Sequence, residues 1–343
     1  MNEDEGTHLL QALAQAVIEL HNVGRSGVIS LPYPAHVQRI MDRIVRLCLD
    51  LGQRPPSGVP ELINWCTQRG PGDWPFPVQP DLVRPDSVLV DPFSRTPSRT
   101  CFELAGTAAD AARDLIRQLI EAADAPNSGR RARAFLVAHP VVVNGLTHQI
   151  SGGIATWQRV RHLYQFVPPA HLKERQIAAC PVCGLPSKMD RLKVVWCEAG
   201  LCDRVEEPLR YPATNGIQLL DERLRLFVTL PGRIELRLVE HLRAIGTDIT
   251  LTDAVEGAYL LERPVLGKRV VHVADRIEPA LLAVDAARWP DSLVVVPQQL
   301  FDRVPHYRQR FTNAASADAD VALVSDDELV ALVGGTETEL DRA

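Results

Sequence analysis

Four cysteines near the middle of the chain constrain its fold more than any other feature of the sequence. Cys180 and Cys183 are separated by two residues, Cys197 follows after 13 residues, and Cys202 follows after four more. Two such pairs on two turns supply four thiolates, the ligand set of a tetrahedral zinc ion, and residues 188–196 suit the strands of a zinc ribbon. Because four protein ligands close the coordination sphere, we expect this zinc to stabilise the fold rather than catalyse a reaction.

The remaining cysteines and the N-terminal segment indicate the compartment. Cys48, Cys66 and Cys101 stand singly among apolar residues, and we expect them to be small buried side chains. Seven cysteines is an odd number, which argues against a framework of disulfides. The chain begins with acidic residues rather than a signal-like pattern, and it has no run of about 18 apolar residues. We therefore expect a cytoplasmic protein without a membrane segment.

Length and hydrophobic periodicity predict an α+β protein of several domains. The 343 residues suffice for two or three domains of about 150 residues each. Residues 1–170 form a helical N-terminal region, in which seven prolines between residues 71 and 97 predict a segment that wraps a surface. The zinc ribbon follows at 176–212, then a domain at 213–335 and an acidic tail at 336–343. The helices expected in the N-terminal region are 9–20, 35–51, 59–68, 105–123, 131–138 and 155–163.

The segment after the ribbon alternates between helical and strand patterns. Residues 219–245 are helical, with Pro231 and Gly232 separating two pieces. The order of the later elements predicts an α/β domain with a central mixed sheet. The expected strands are 248–251, 258–265, 269–273, 292–296 and 321–324, and the expected helices are 278–287, 298–310 and 326–333.

Charge is distributed unevenly along the chain. The formal net charge is −6, which excludes a protein that coats nucleic acid through bulk positive charge. Eight acids and one base follow residue 312, whereas residues 130–175 contain seven arginines and lysines and one acid. This basic stretch indicates either a local nucleic-acid-binding surface or a solvated face.

Several segments, taken in order, resemble a known family. They are residues 62–75, 97–103, 133–140, 164–168, the ribbon, 230–238, 251–261 and 267–283. Together they resemble a restriction-endonuclease-like protein that accompanies the pPIWI-RE, or prokaryotic Piwi-like, defence module, and the resemblance covers most of the chain. It implies a restriction-endonuclease-like C-terminal domain and a role in antiphage or anti-plasmid defence. A Piwi-like protein and a helicase of the same module are the implied partners.

The family implies a PD-(D/E)xK nuclease core, in which a helix Glu, a strand Asp and an acid-x-Lys pair surround one or two Mg²⁺ ions. In this chain Glu235 matches the helix acid. Leu260 stands at the position of the strand Asp, and His272 and Ala274 stand at those of the acid and the lysine. Since these side chains supply no oxygen ligand for Mg²⁺, the implied nuclease site is degenerate.

Two sets of residues leave other functions open, although both are also compatible with ordinary surface residues. Acids that could have relocated to a metal site are Asp253, Glu256, Glu262 and Asp275, with Lys268 or Arg269 replacing the lysine and His272 with Asp275 as a further ligand pair. Basic residues that could contact nucleic acid are Arg233, Lys268, Arg303, Arg308 and Arg310. Glu235 could equally be a helix residue paired with Arg233 or Arg237.

The sequence thus favours a non-catalytic accessory protein that binds DNA, RNA or partner proteins through a degenerate nuclease fold and a structural zinc ribbon. One alternative is a divergent metal-dependent DNA endonuclease with relocated acids. Another is a zinc-ribbon interaction protein. Zinc is the expected cofactor, and Mg²⁺ is expected only for the endonuclease.

Overall fold

The structure of the protein is a computed structural model, and it divides the chain into two compact units. Unit 1 consists of residues 1–109 together with 277–281, and unit 2 consists of residues 110–276 together with 282–343. The predicted domain boundaries at residues 170 and 213 stay predictions. The residues that the structure describes are 1–26, 31–92, 95–123, 127–143, 153–168, 171–172, 175–189, 195–198, 202, 208–212, 216–247, 249–255, 257–263, 267–315 and 321–334.

Unit 1 is helical, as the hydrophobic periodicity predicts. Apolar side chains at helical spacing, among them Leu9, Leu13 and Ile44, are buried in one core because each helix turns one apolar face inward. The three single cysteines are buried, as expected. The helices of this unit are α1 (Glu3–Ser26), α2 (Ala35–Asp50), α3 (Val59–Gln68) and α4 (Arg99–Ala105).

The proline-rich stretch contributes side chains to the core of unit 1 and, as expected, forms no separate core of its own among the described residues. Trp74, Phe76 and Leu89 from this stretch are buried in the same hydrophobic cluster as α1 to α4. The ring of Trp74 lies 6.4 Å from that of Trp65 and 5.7 Å from that of Phe76. The prolines prevent a helix here, but the apolar residues between them still reach the interior.

A buried carboxylate binds residues 277–281 into unit 1. The side chain of Glu278 is fully buried and accepts hydrogen bonds from the backbone N–H of Arg84 at 2.9 Å and from the hydroxyls of Ser87 at 2.8 Å and Thr100 at 2.7 Å. The backbone N–H of Glu278 donates to the Glu103 carboxylate at 3.1 Å. A buried carboxylate is costly unless its oxygens are satisfied, so these donors fix the segment in place.

We predict that Glu278→Ala destabilises unit 1 by about 3 kcal/mol, because it leaves buried donors of three residues without their acceptor. Urea unfolding followed by tryptophan fluorescence checks this value, with Asp50→Ala on the exposed side of α2 as the matched control. The control should change the free energy of unfolding by less than about 0.5 kcal/mol. Equal effects of the two substitutions would contradict the assigned role of Glu278.

The elements after α4 belong wholly or mostly to unit 2. None of the helices in the described ranges has an apolar stretch long enough to cross a membrane. The helices are α5 (Thr107–Glu121), α6 (Ser128–Ala138), α7 (Gly153–Val160), α8 (Glu222–Leu224), α9 (Leu230–Ala244), α10 (Pro279–Ala286), α11 (Gln298–Arg303), α12 (Tyr307–Ala314) and α13 (Asp326–Gly334). The strands are β1 (Val141–Val143), β2 (Tyr164–Phe166), β3 (Gln176–Ala179), β4 (Pro186–Met189), β5 (Val195–Cys197), β6 (Leu209–Pro212), β7 (Ile217–Leu220), β8 (Ile249–Asp253), β9 (Ala258–Arg263), β10 (Gly267–Val273), β11 (Ser292–Val296) and β12 (Ala322–Ser325).

These strands form three sheets in unit 2. A small antiparallel sheet has the order β1-β7-β2, and the ribbon sheet has the order β5-β4-β3-β6. The third sheet has five strands in the order β12-β11-β10-β9-β8. Its strands β10, β11 and β12 are parallel, whereas β8, β9 and β10 are antiparallel. The predicted central mixed sheet is therefore confirmed.

One face of the five-stranded sheet packs against α9 and α13. Leu238 and Leu242 of α9 and Leu329 of α13 are buried in one cluster with Tyr259 of β9 and Val271 of β10. Because side chains alternate between the faces of a strand, the residues next to Tyr259 and Val271 in sequence point to the other face. This alternation decides which of the predicted nuclease positions can meet Glu235 of α9.

One boundary predicted in this unit is wrong. Leu219 and Leu220 lie in β7 rather than in a helix, because they pair with β1 on one side and β2 on the other. The helical stretch begins at Glu222, where α8 continues through a π-helical segment (Arg225–Thr229) directly into α9. Pro231 and Gly232 lie in the first turn of α9, so the expected division into two pieces falls beside them, at the junction of the π-helix and α9.

Two predicted helices are each divided in the structure. The helix expected at 105–123 is broken at Gly106, where φ is +68°. The helix expected at 298–310 becomes α11 and α12, because Pro305 cannot donate a helical hydrogen bond and His306 adopts a left-handed φ of +58°.

Candidate functional site

The four cysteines converge at one point in unit 2, as their spacing predicts. Their Sγ atoms all lie within 4.8 Å of one another, and the Sγ atoms of Cys183 and Cys197 are 3.2 Å apart. A zinc ion with Zn–S bonds of about 2.3 Å places its four sulfurs about 3.8 Å apart. The cluster therefore has the donor set and the spacing that a tetrahedral zinc ion needs.

The first cysteine pair lies on a tight turn after β3. The N–H of Gly184 donates to the Cys180 carbonyl at 2.7 Å, and the N–H of Cys180 donates to the Leu185 carbonyl at 2.9 Å. Gly184 has a φ of +69°, and a Cβ at this position would lie 2.4 Å from the guanidinium of Arg233. Glycine is needed here for both reasons.

The second half of the cysteine cluster is tied to unit 2 by a buried ion pair. Glu198 directly follows Cys197, and its carboxylate accepts hydrogen bonds from Nε and Nη2 of Arg225 at 2.7 and 2.6 Å. The Arg225 side chain is 1% exposed, and it also donates to the Leu220 carbonyl. Burial disfavours the charge on Arg225, but Glu198 outweighs burial and raises the pKa of the guanidinium. His171 lies beside the same carboxylate, with its Nε2 3.9 Å from Oε1.

Arg233 connects α9 to the first cysteine turn. Its Nε and Nη2 donate to the carbonyls of Val137 and Ala138 at the end of α6, each at 3.2 Å. Burial lowers the pKa of its guanidinium, and repulsion from nearby Arg237 adds to this effect. Arg233 was a candidate for nucleic-acid contact, and the structure shows it half-buried between α6 and Gly184.

We predict that the purified protein contains about one zinc ion per chain and that Cys183→Ser removes most of it, because a site with three thiolates binds zinc far more weakly. Elemental analysis of the protein after extensive dialysis measures the content. Cys48→Ser, at a buried cysteine of unit 1, is the control and should retain the zinc. An unchanged zinc content in Cys183→Ser would contradict the site.

Glu235, the predicted helix acid, is buried in an ion pair with Arg133. Nη1 and Nη2 of Arg133 donate to Oε2 and Oε1 of Glu235 at 2.9 and 2.7 Å, and the Tyr259 hydroxyl donates to Oε2 at 2.9 Å. A Cβ at Gly257 would lie 2.4 Å from Oε1. Both oxygens are therefore engaged by the chain itself, and the partner is Arg133 rather than Arg233 or Arg237.

The protonation states around Glu235 follow from this packing. Burial opposes the charge on Arg133, but the charge of Glu235 and its hydrogen bonds outweigh it, so the pKa of Arg133 is raised. Burial raises the pKa of Tyr259, and the charge of Glu235 raises it further. At neutral pH the guanidinium is therefore charged and the phenol is a neutral donor, which is the combination that a carboxylate requires.

Leu260 and His272, two of the other nuclease-position residues, lie on the opposite face of the sheet from Glu235. Leu260 pairs with Val270 and His272 pairs with Ala258, whereas Tyr259 and Val271 face α9. Ala274 follows β10, is buried, and donates its N–H to the Val295 carbonyl. Matching the nuclease positions to the neighbouring residue of each strand does not restore a metal site either. The residues that face Glu235 are then Tyr259, Val271 and Val273, and none of them is an acid or a lysine.

The acids considered as replacements are dispersed. Asp253 is exposed and accepts a hydrogen bond from the Val255 N–H at 2.7 Å. Glu262 is exposed and lies opposite Lys268, whereas Asp275 is only 6% exposed. Glu256 lies outside the described residues. Within the described ranges, the cysteine cluster is the one group of three or more His, Cys, Asp or Glu side chains close enough to share a metal ion.

His272 is held by stacking on the far face of the sheet. Its ring is parallel to that of Trp289, with centroids 4.4 Å apart and an interplanar angle of 7°. The residue is 6% exposed. Burial lowers the pKa of His272 from 6.5 to about 4, although the charge of Asp253 acts in the opposite direction. The imidazole is therefore neutral at pH 7.

This burial predicts a pH dependence of stability. The unfolded chain binds a proton at His272 below about pH 6.5 and the folded chain only below about pH 4, so acidification through this window favours unfolding. We predict that His272→Phe, which keeps a ring against Trp289, reduces the loss of melting temperature between pH 6.5 and 4. Melting curves across this range test the prediction, with His241→Gln on the exposed side of α9 as the control. The prediction would be contradicted if the melting temperature of His272→Phe fell with pH as steeply as that of the wild type and of His241→Gln.

The basic residues proposed for nucleic-acid contact are in different surroundings. Arg308 donates from Nη2 to both oxygens of Glu328 at 2.7 Å, which lowers the pKa of that carboxyl. Arg310 is buried, Arg303 is half-buried, and Lys268 is exposed on β10. Nucleic-acid contact by these residues and by Arg233 stays a prediction.

The ion pairs of Arg133 with Glu235 and of Arg225 with Glu198 were not predicted from the sequence. The burial of Arg225 could have been predicted, because this residue is the one charge in the apolar run between Leu224 and Leu230. Such a residue indicates a buried partner. No local pattern connects Arg133 to Glu235, which lies 102 residues away in sequence.

A comparison with protein families matches the first part of the chain. Residues 9–143 match the family model described as pPIWI_RE three-gene island domain Y. This match links the protein to the pPIWI-RE module, as the resemblance in sequence implied. The matched stretch runs from α1 to β1 and includes Arg133, but it ends before the ribbon and the five-stranded sheet. Searches of curated proteins and of solved structures found no match.

Proposed function

We propose that the protein is a non-catalytic, cytoplasmic accessory protein of the pPIWI-RE module, a defence system against phages or plasmids. In this proposal a restriction-endonuclease-like α/β domain and a structural zinc ribbon bind nucleic acid or a partner protein. The observation that carries the proposal is the ion pair of Glu235 with Arg133, reinforced by the Tyr259 hydroxyl.

The surroundings of Glu235 are unsuitable for Mg²⁺. This ion needs near-octahedral oxygen ligands at about 2.1 Å and keeps several waters. The strands nearest to α9 present Tyr259, Leu261, Val271 and Val273 to it, and none of these side chains is a carboxylate. Arg133 neutralises Glu235, and the approach of Gly257 leaves little space beside the carboxylate.

The cysteine cluster supports a structural role for the metal. Soft thiolates favour zinc over Mg²⁺, and four of them leave no open position for water or substrate. Cys180, Cys183, Cys197 and Cys202 would hold the ion, and its chemistry would be limited to fixing the two turns. Arg225 and Arg233 then extend this rigidity into the rest of unit 2.

Membership in a module supports the partner part of the proposal. The family description refers to a three-gene island, so the other two gene products are the first candidates for partners. The resemblance in sequence implies that these are a Piwi-like protein and a helicase. The chain would then act by holding nucleic acid or one of these proteins rather than by cutting.

A paired assay of cleavage and binding tests the proposal. Purified full-length protein is incubated with single- and double-stranded DNA and RNA in Mg²⁺, Mn²⁺ or EDTA, and binding to the same substrates and to the two module proteins is measured in parallel. We predict no metal-dependent cleavage but retained binding to at least one of these partners. Glu235→Ala should lower stability by about 3–5 kcal/mol because it leaves Arg133 buried and unpaired.

Glu262→Gln, at an exposed acid of β9, is the matched control and should change neither the stability of the protein nor its binding. Cleavage that requires Mg²⁺ or Mn²⁺ and is lost in Glu235→Gln, with the fold retained, would overturn the proposal in favour of an endonuclease. Absence of both cleavage and binding would also contradict it. Binding that is lost on deletion of residues 180–202 but is kept when exposed residues of α9 are substituted would favour the zinc-ribbon interaction protein.

A further inference from the structure

A cleft in unit 2 lies beside the cysteine cluster. Its volume is about 390 Å³, within the range of sites that bind a small ligand or an anchoring side chain. Its walls are α9, the first cysteine turn and the segments that follow β10 and β11, where α/β proteins commonly bind ligands at the carboxyl ends of parallel strands. Among the lining residues are Val182, Leu230, Arg233, Leu236, Arg237 and Pro297.

The rim of the cleft exposes apolar side chains. Val182, between the first two cysteines, is 53% exposed, and Leu236 of α9 is 47% exposed. Leu230 and Ile234 lie deeper and are buried. Exposed apolar side chains around a concave, mostly apolar site indicate an interaction surface rather than an ordinary patch.

Arg237 adds a positive charge beside this apolar rim. Its side chain is exposed, and within the described ranges no carboxylate forms a salt bridge with it. Arg233 differs, since its N–H groups bond to the carbonyls of Val137 and Ala138. Arg237 is thus the guanidinium of the cleft that is placed to meet an incoming anion.

We propose that this cleft binds a peptide segment of a partner protein. An apolar side chain of the segment packs between Val182 and Leu236, and a neighbouring Asp or Glu side chain pairs with Arg237. The inference rests on the proposed function as an accessory protein, and it specifies the site and the chemistry of the partner.

The lining favours a peptide over a nucleic-acid strand. No aromatic ring for base stacking is found among the described lining residues. Glu240 and Asp275 also line the cleft and would repel consecutive phosphates. A single carboxylate next to an apolar anchor matches Arg237 and Leu236 and avoids this repulsion.

Zinc is needed for the shape of this cleft. Val182, Cys183 and Cys202 line the cleft, and two of these three residues belong to the cysteine cluster that zinc would hold together. Without zinc the four cysteines lose their common anchor, although Arg225 still holds Glu198. Partner binding should therefore require a zinc-loaded protein.

The experiment uses the full-length tagged chain co-expressed with the other two proteins of the island. We expect Leu236→Asp and Arg237→Glu each to reduce the co-purified partner about tenfold or more, because the first removes the apolar contact of the bound segment and the second repels its carboxylate. The matched controls are Val284→Asp, at an apolar residue of α10 that is 63% exposed, and Arg243→Glu, at an exposed arginine of α9 outside the cleft. Both should bind within about twofold of the wild type.

Overlapping peptides of the co-purified partner then identify the bound segment. Competing peptides should contain an apolar residue next to Asp or Glu, and a Glu→Arg or Asp→Arg change in the partner should restore binding to Arg237→Glu. Removal of zinc with a chelator should abolish binding by the wild type.

Three outcomes separate the inference from the proposed function. If the wild type binds neither module protein nor nucleic acid, the proposed function fails and the inference with it. If the wild type binds a module protein and the cleft variants bind equally well, the inference alone is overturned. If Arg237→Glu abolishes binding to single-stranded DNA or RNA but leaves protein binding unchanged, the cleft is a nucleic-acid site and the peptide assignment is wrong.

Discussion

The buried ion pair between Arg133 and Glu235 is the interaction on which the arrangement of unit 2 depends. It joins α6 to α9, and the Tyr259 hydroxyl adds β9 to the same contact. Two charges removed from water are tolerated because the guanidinium is bidentate and the carboxylate accepts a further hydrogen bond. The pair thereby fixes α9 on the sheet, and it occupies the side chain that a nuclease of the implied family would use to hold its metal.

The ribbon depends on a second interaction of the same kind. Glu198 follows a cysteine ligand and pairs with Arg225, while Arg233 reaches the first cysteine turn from α9. A small sheet of short strands has little core of its own, so contacts with the rest of unit 2, together with the zinc that we propose for the four thiols, supply its stability. The first cysteine turn and α9 line the same cleft, at which we propose that a partner peptide binds.

Patterns within short stretches of sequence predicted the parts of the fold that neighbouring residues determine. The cysteine spacing identified the convergent thiols, and hydrophobic periodicity located α1, α2 and most strands of the mixed sheet. Long-range contacts decided the rest: Leu219 became a strand residue because β1 and β2 flank it. Glu235 was recognised as a special acid, but its partner could not be found from sequence because Arg133 belongs to a different helix. The side of the sheet occupied by Leu260 and His272 likewise followed only from the strand register.

A titration of the zinc-loaded, full-length protein with Mn²⁺, followed by electron paramagnetic resonance of the free ion, tests the central claim most directly. Mn²⁺ replaces Mg²⁺ at carboxylate sites and is detected without any need for turnover. If Glu235 serves as the structural partner of Arg133, the wild type and Glu235→Gln should both show no stoichiometric Mn²⁺ site. A stoichiometric site in the wild type that disappears in Glu235→Gln, yet persists in Glu262→Gln, would contradict the account.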